Sequence, residues 1–159
     1  MKVLLPVDGS ALSLEAVHHA IRLVRDGLKA EFVLANVQAK SSLYELVVVH
    51  DAEALRRVAL EAGEHALAQA ETLLADAGIE HETEIASGDP AHTLLELIES
   101  NGCQAVIMGA HGEGANTAVL GSVAQSLLRH SSVPVMIVRP QPEMPAAEEL
   151  APQVMDSAL

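Results

Sequence analysis

Aromatic side chains are nearly absent: the 159 residues include one Phe, one Tyr and no Trp. Half of the residues are hydrophobic all the same, so Leu, Val, Ile and Ala must fill the core. The aromatic platforms on which single-stranded nucleic acid stacks have no material here. Basic charge is scarce as well. Nine Lys and Arg stand against 22 Asp and Glu, a formal net charge of −13, the wrong sign for neutralising a phosphate backbone. Nucleic acid and anionic membrane surfaces are therefore not expected as partners. The single cysteine, Cys103, excludes an internal disulfide and has no Cys or His at ligand spacing, so it reads as a buried, inert thiol. No apolar run reaches ~18 residues, and Pro6 breaks the opening "MKVLLPVDGS" too early for a secretory signal. The expectation is a soluble cytoplasmic protein. The length suits one domain, since domains commonly run to roughly 100–150 residues.

What is present is an alternation of two periodicities. "KVLLPV", Lys2 to Val7, is a short apolar run ended by "DGS" and reads as a strand buried on both faces, although Pro6 lacks a ladder donor. From Ser13, Leu14, Val17, Ile21 and Val24 recur at helical spacing, with Gly27 as a stop. "EFVLANV", Glu31 to Val37, is a second strand, whereas residues 38 to 50 fit a strand, a loop or a helical lead-in equally well. A long helix follows from about Asp51 to Ala77, stopped by Gly78. "IEHETEIAS" alternates Ile79, His81, Thr83 and Ile85 on an inner face against Glu80, Glu82 and Glu84 on a wetter one, as suits a strand at or near an edge. Asp89 as N-cap, Pro90 at the first position and Gly102 past the end punctuate the third helix. "QAVIM" is a buried strand, "SVAQSLLRH" a helix, and Val133 to Val138 a last strand. The sum is a three-layer α/β/α domain, residues 1 to 140, around an open, five-stranded, mostly parallel sheet. Residues 141 to 159 form a Pro-rich acidic tail, expected to be mobile unless a partner holds it.

Between "QAVIM" and the last helix lies "GAHGEGANTAVLGS", residues 109 to 122, which concentrates four glycines at the carboxyl end of a strand. Ligands of open α/β sheets sit at such ends. Gly109 and Gly112 remove Cβ atoms where the backbone must approach a ligand closely or take positive φ. Gly121 and Ser122 open a helix whose free N–H groups and dipole favour an anion. Strand, glycine loop and helix start together describe a phosphate cradle, although a glycine-rich connection can also be no more than a turn. Neither the P-loop pattern nor a G-x-G-x-x-G after the first strand occurs. His111, inside the loop, is either a phosphate donor or an ordinary solvated histidine. The other histidines are scattered and assemble no metal site by spacing.

Gly109, Gly112, Gly121 and Ser122, taken with "LLPVDGS", "GDP", "VIMGAHG" and "GSVAQSLLRHSSVPVMIVRP", resemble the universal stress proteins from residue 2 to about 140. The nucleotide-binding members of that family place nine residues between G-x-x-G and G-[ST]; here residues 113 to 120 make eight. The resemblance implies a Rossmann-like fold of the adenine nucleotide α-hydrolase-like kind. It implies that Asp8 contacts the nucleoside, that the backbone at Val37 meets adenine, and that Gly109, Gly112, Gly121 and Ser122 hold ribose and phosphates. It further implies ATP or AMP as ligand, with Mg²⁺ expected beside a triphosphate, and a homodimer formed through Val133 to Val138.

Two functions compete on this reading. One is a nucleotide-binding stress-response regulator working through an unidentified protein partner, at most a slow ATPase, since the loop holds no basic side chain to stabilise transferring charge. The other is a homodimeric interaction module of the same fold that binds no nucleotide. An enzyme of the related α-hydrolase-like folds ranks lower, because its phosphate loop belongs directly after the first strand.

Overall fold

In a computed structural model, which describes residues 1–40, 51–112 and 119–140, nine elements alternate along the chain. They are β1 (Lys2–Pro6), α1 (Ala11–Arg25), β2 (Glu31–Gln38), α2 (Ala52–Asp76), β3 (His81–Ser87), α3 (Pro90–Ser100), β4 (Ala105–Gly109), α4 (Ser122–His130) and β5 (Val135–Val138). The sheet order is β3-β2-β1-β4-β5, and all four pairings are parallel. The uncertain part of the stretch after β2, residues 41–50, and the acidic tail lie outside the described residues.

Alternation along the strands divides the core into two layers. Val3, Leu5 and Val7 of the first strand and its extension, with Phe32, Leu34 and Ile107, face α1 and α2. Leu4, Val33, Ala35, Val106 and Met108 face α3 and α4 on the other side. Because both faces are covered, the central strands are predominantly apolar, as parallel sheets require. Phe32 is fully buried and is the largest of these side chains.

Several boundaries move for local physical reasons. The first helix begins at Ala11 rather than Ser13, because the Ser10 hydroxyl accepts from the Ser13 N–H and supplies the N-cap. Asp51 and Asp89 cap α2 and α3 in the same way. Gly27, Gly78 and Gly102 all take positive φ just past helix ends. Pro6 sits at the last position of β1, a central strand, and Val7 continues the ladder by donating to the Ala35 carbonyl at 2.8 Å. The last strand is shorter than its sequence suggests: Ser131 and Val133 close a turn through the Ser131 hydroxyl, and regular pairing starts at Val135. β3 occupies one edge, but Thr83 is exposed there, against its inward place in the alternation. Cys103 is buried just before β4, and burial raises the pKa of its thiol.

The long α2 is tied to the sheet through Gly63. A Cβ at that position would lie 2.5 Å from the Cγ2 of Ile85 and 3.2 Å from the Oδ1 of Asn36. Helix propensity favours Ala over Gly by about 1 kcal/mol, whereas overpacking a fitted contact costs ~1–3 kcal/mol. The Gly63→Ala variant is therefore expected to be less stable than the parent, read as a lower urea midpoint; a raised midpoint would show that the helix–sheet contact is loose.

Candidate functional site

The order of the sheet determines where a cleft opens. From β1 the chain moves to β2 and then β3 on one side, and afterwards returns to place β4 and β5 on the other. The segments leaving the carboxyl ends of β1 and β4 therefore diverge, and ligand crevices of open α/β sheets form at such a reversal. A pocket of about 350 Å³ lies there. Its wall brings together all six residues singled out in the sequence: Asp8, Val37, Gly109, Gly112, Gly121 and Ser122. Apolar side chains from both helices of one layer, Leu94 of α3 and Val123 and Ala124 of α4, line it with Met108. The volume and the mixed lining fall in the range of small-ligand and cofactor sites.

The glycines are bare for a reason that differs from the one expected. None of Gly109, Gly112 and Gly121 has positive φ, so left-handed backbone is not what they provide. They permit close approach of protein to protein. A Cβ on Gly112 would lie 2.7 Å from the Oδ2 of Asp8, and one on Gly109 would lie 3.1 Å from the Leu12 side chain and 3.3 Å from its carbonyl. A Cβ on Gly121 would meet the His111 backbone at 3.1 Å. The loop after β4 is thus pressed against the turn after β1, and Asp8 is at the seam. That turn is itself tied, because the Ser10 N–H donates to the Asp8 Oδ1 at 2.9 Å.

The helix that follows is built to leave its start open. Gly121 is the N-cap and supplies no side-chain acceptor, unlike Ser10, Asp51 and Asp89 at the other helices. Its N–H donates to the Ala110 carbonyl at 2.8 Å, which fixes the helix start against the end of β4. The first intrahelical bond runs from Gln125 N–H to the Gly121 carbonyl. The N–H groups of Ser122, Val123 and Ala124 accordingly have no acceptor within the helix, and they carry the positive end of its dipole. Gln125 also clasps the loop, donating from Nε2 to the Leu120 carbonyl at 2.7 Å.

Two polar side chains of the site stand out. The Nδ1–H of His111 donates to the Gly112 carbonyl at 3.2 Å, so in the neutral ring Nε2 is an acceptor. That Nε2 is buried with no hydrogen-bond partner among the described residues. Burying such a group unpaired costs ~1–3 kcal/mol, which a ligand hydroxyl would relieve. Asn36, 3% exposed at the end of β2, donates from Nδ2 to the Val7 carbonyl at 2.8 Å and accepts from Gln38 Nε2 at 2.6 Å. It locks the end of β2 to the end of β1, between Val37 and Asp8. The signal for it was present in "EFVLANV", a polar residue inside an otherwise apolar buried strand. Among the described residues no group of three or more His, Cys, Asp or Glu side chains is arranged to hold a metal ion, and no helix is long and apolar enough to cross a membrane.

The architecture and the pocket define a class: a doubly wound parallel sheet with a small-ligand pocket at its switch point. The match to a family model is direct, covering residues 1–139 with the universal stress protein family. The chain belongs to that family. It is 32% identical over 146 residues to the universal stress protein YxiE of Bacillus subtilis, covering 87% of this chain and 98% of the relative. Among solved structures it is similar to a universal stress protein in complex with cAMP, with a TM-score of 0.67 at 24% identity, covering 89% of this chain and 98% of that one. It is also similar to a family protein of Arabidopsis thaliana with AMP bound, with a TM-score of 0.64 at 19% identity, covering 93% and 94%. At these identities the two structures speak for the fold.

Removal of the Asn36 carboxamide tests the seam between β1 and β2. Asn36→Ala leaves the Val7 carbonyl without its side-chain donor and is expected to cost ~1–3 kcal/mol of stability in a denaturant titration. No loss would show that water replaces the carboxamide freely.

Proposed function

We propose that the protein is an adenine nucleotide-binding regulator, taking ATP or AMP in the pocket at the carboxyl ends of β1 and β4. The single observation that carries this reading is that the six residues matched to the family's nucleotide positions line one pocket, at the place where the sheet reverses. In this reading the apolar wall of Leu94, Met108 and Val123 takes the base, with the Val37 backbone supplying its polar contacts. Asp8 takes the nucleoside, the loop from Gly109 to Gly112 the ribose, and the start of α4 at Gly121 and Ser122 the phosphate. Two proteins of the same fold hold cAMP and AMP, which makes adenine nucleotides the ligands to try first.

The role is binding rather than efficient turnover. No Lys or Arg among the described residues lines the pocket to stabilise charge in a phosphoryl transfer, so hydrolysis of ATP is at most slow. Nucleotide binding changes the surface at the mouth of the pocket, and a protein partner reads that surface. The domain, residues 1–140, works in the cytoplasm, and the sequence of residues 141–159 that follows carries four acids and no base.

A homodimer forms through β5. This strand pairs with β4 alone among the described strands, and Met136 on it is 43% exposed. An apolar sheet edge is a template for a second copy. Gel filtration is expected to give the dimer mass for the parent and the monomer mass for Met136→Lys; a monomeric parent would remove the dimer from the account.

Freshly purified protein, denatured and analysed by chromatography and mass, is expected to release an adenine nucleotide or, once emptied, to bind one. In the Gly112→Val variant the added side chain collides with the Asp8 carboxylate, so binding is expected to fall below detection while circular dichroism is unchanged. Parent-like affinity in a folded Gly112→Val protein would refute the assignment. Absence of any nucleotide and of any binding would favour the ligand-free interaction module.

A further inference from the structure

The helix α2 is longer than the sheet it covers. A Cβ at Gly63 would meet Ile85 and Asn36, toward the carboxyl ends of β3 and β2, and one at Gly9, in the turn after β1, would lie 3.5 Å from the Cβ of Ala66. Residues 52–62, about 16 Å of helix at 1.5 Å per residue, run on from there past the end of the sheet. None of them is buried. The buried positions of the helix are Gly63, Leu67, Ala70 and Leu74, in steps of four and three residues. The same steps taken backwards from Gly63 reach Leu60 and then Arg56, so these two continue the stripe that faces inward lower down. Leu60 is 48% exposed and Val58, on the same overhang, 63%. The helix thus carries its inward face beyond the body it packs against.

Charge and reach identify what fits there. Arg56 and Arg57 are both exposed, and neither takes part in an ion pair among the described residues. They are an adjacent pair of cations in a chain that has nine basic residues in all and a net charge of −13. We propose that this overhang seats the chain's own carboxy-terminal segment, residues 141–159. Its sequence, "QPEMPAAEELAPQVMDSAL", carries four acids and no base, and it sets Leu150, Val154 and Met155 close to Glu148, Glu149 and Asp156. It therefore offers apolar side chains to Leu60 and Val58 and carboxylates to Arg56 and Arg57. The segment also starts at the right end of the molecule. β5 runs parallel to its neighbour and ends at Val138, so the chain leaves the sheet at the end where α2 overhangs. β5 and β2 are three strand spacings apart, about 15 Å at ~4.8 Å each, whereas residues 141–159 fully extended span up to ~60 Å. A separate acidic partner would meet the repulsion of the whole chain's charge. A tethered segment arrives at an effective concentration of about millimolar, so exposed ion pairs and a small apolar patch suffice to hold it.

The test uses the full chain with a nitroxide attached at Ser157→Cys, in a Cys103→Ala background, and reads paramagnetic broadening of the backbone amide signals. Broadening is expected along residues 52–60 of α2. It is expected to fall about threefold or more when Arg56→Glu and Arg57→Glu are introduced together, and to return when Glu148→Arg and Glu149→Arg are added to them. Raised salt is expected to weaken it as well, and circular dichroism reports whether α2 persists in each variant. No broadening on α2, or broadening that the charge reversal leaves unchanged, would overturn the proposal. Broadening seen only on isotope-enriched, unlabelled protein mixed with spin-labelled protein would put the segment of a second copy there, and would overturn it too. Limited proteolysis of the unlabelled parent gives a check free of the label: residues 141–159 are expected to be cleaved about threefold or more slowly than in the Arg56→Glu, Arg57→Glu variant. Equal rates would overturn the proposal.

Discussion

β1 is hydrogen-bonded in parallel on both edges, to β2 through Lys2–Pro6 and to β4 through Val3 and Leu4, and the rest of the molecule follows from that double engagement. A parallel neighbour cannot be reached by a tight turn, so each connection must cross a face of the sheet as a helix. With β2 and β3 laid down on one side and β4 and β5 on the other, α1 and α2 cover one face and α3 and α4 the opposite one. The carboxyl ends of β1 and β4 are then neighbouring strand ends in the middle of the sheet whose outgoing segments, to α1 and α4, part to opposite faces. The cleft is a consequence of topology before any side chain is chosen.

Side chains determine whether that cleft stays shallow or becomes a shaped pocket. Asn36 ties the end of β2 to the Val7 carbonyl, Ser10 ties its own N–H to Asp8, and Gly121 ties the start of α4 to Ala110. The glycines after β4 let the loop settle against Leu12 and Asp8 instead of standing off them. Buried polar residues Ser10, Ser13, Asn36 and Thr93 lie at this end of the sheet; Ser10 and Ser13 bond each other at the start of α1, and Asn36 donates to the Val7 carbonyl.

The fold was legible because its elements are long, periodic and well punctuated. Buried apolar runs such as "KVLLP" and "AVIM", and stops at Gly27, Gly78 and Gly102, carry their meaning locally. Boundaries were less so: Ser10 advances α1 by a cap that only the folded turn reveals, and the Ser131–Val133 turn shortens β5. At the site, the residues were identifiable from the resemblance and from the glycine pattern, but the physical role of the glycines was not. Gly112 is bare because Asp8, more than a hundred positions earlier, occupies the space, and a sequence shows no such distance. Asn36 and the orphaned Nε2 of His111 depend likewise on what surrounds them.

The central claim is that one pocket, at the reversal of the sheet, is where an adenine nucleotide binds. Backbone amide shifts mapped during titration with AMP address it most directly. The account predicts saturable changes clustered at Asp8, Val37, Gly109 to Gly112 and Gly121 to Ala124, with the amino-terminal end of the sheet around Lys2 and Glu31 unmoved. Changes confined to that opposite end, or a spectrum indifferent to AMP at saturating concentration, would contradict it.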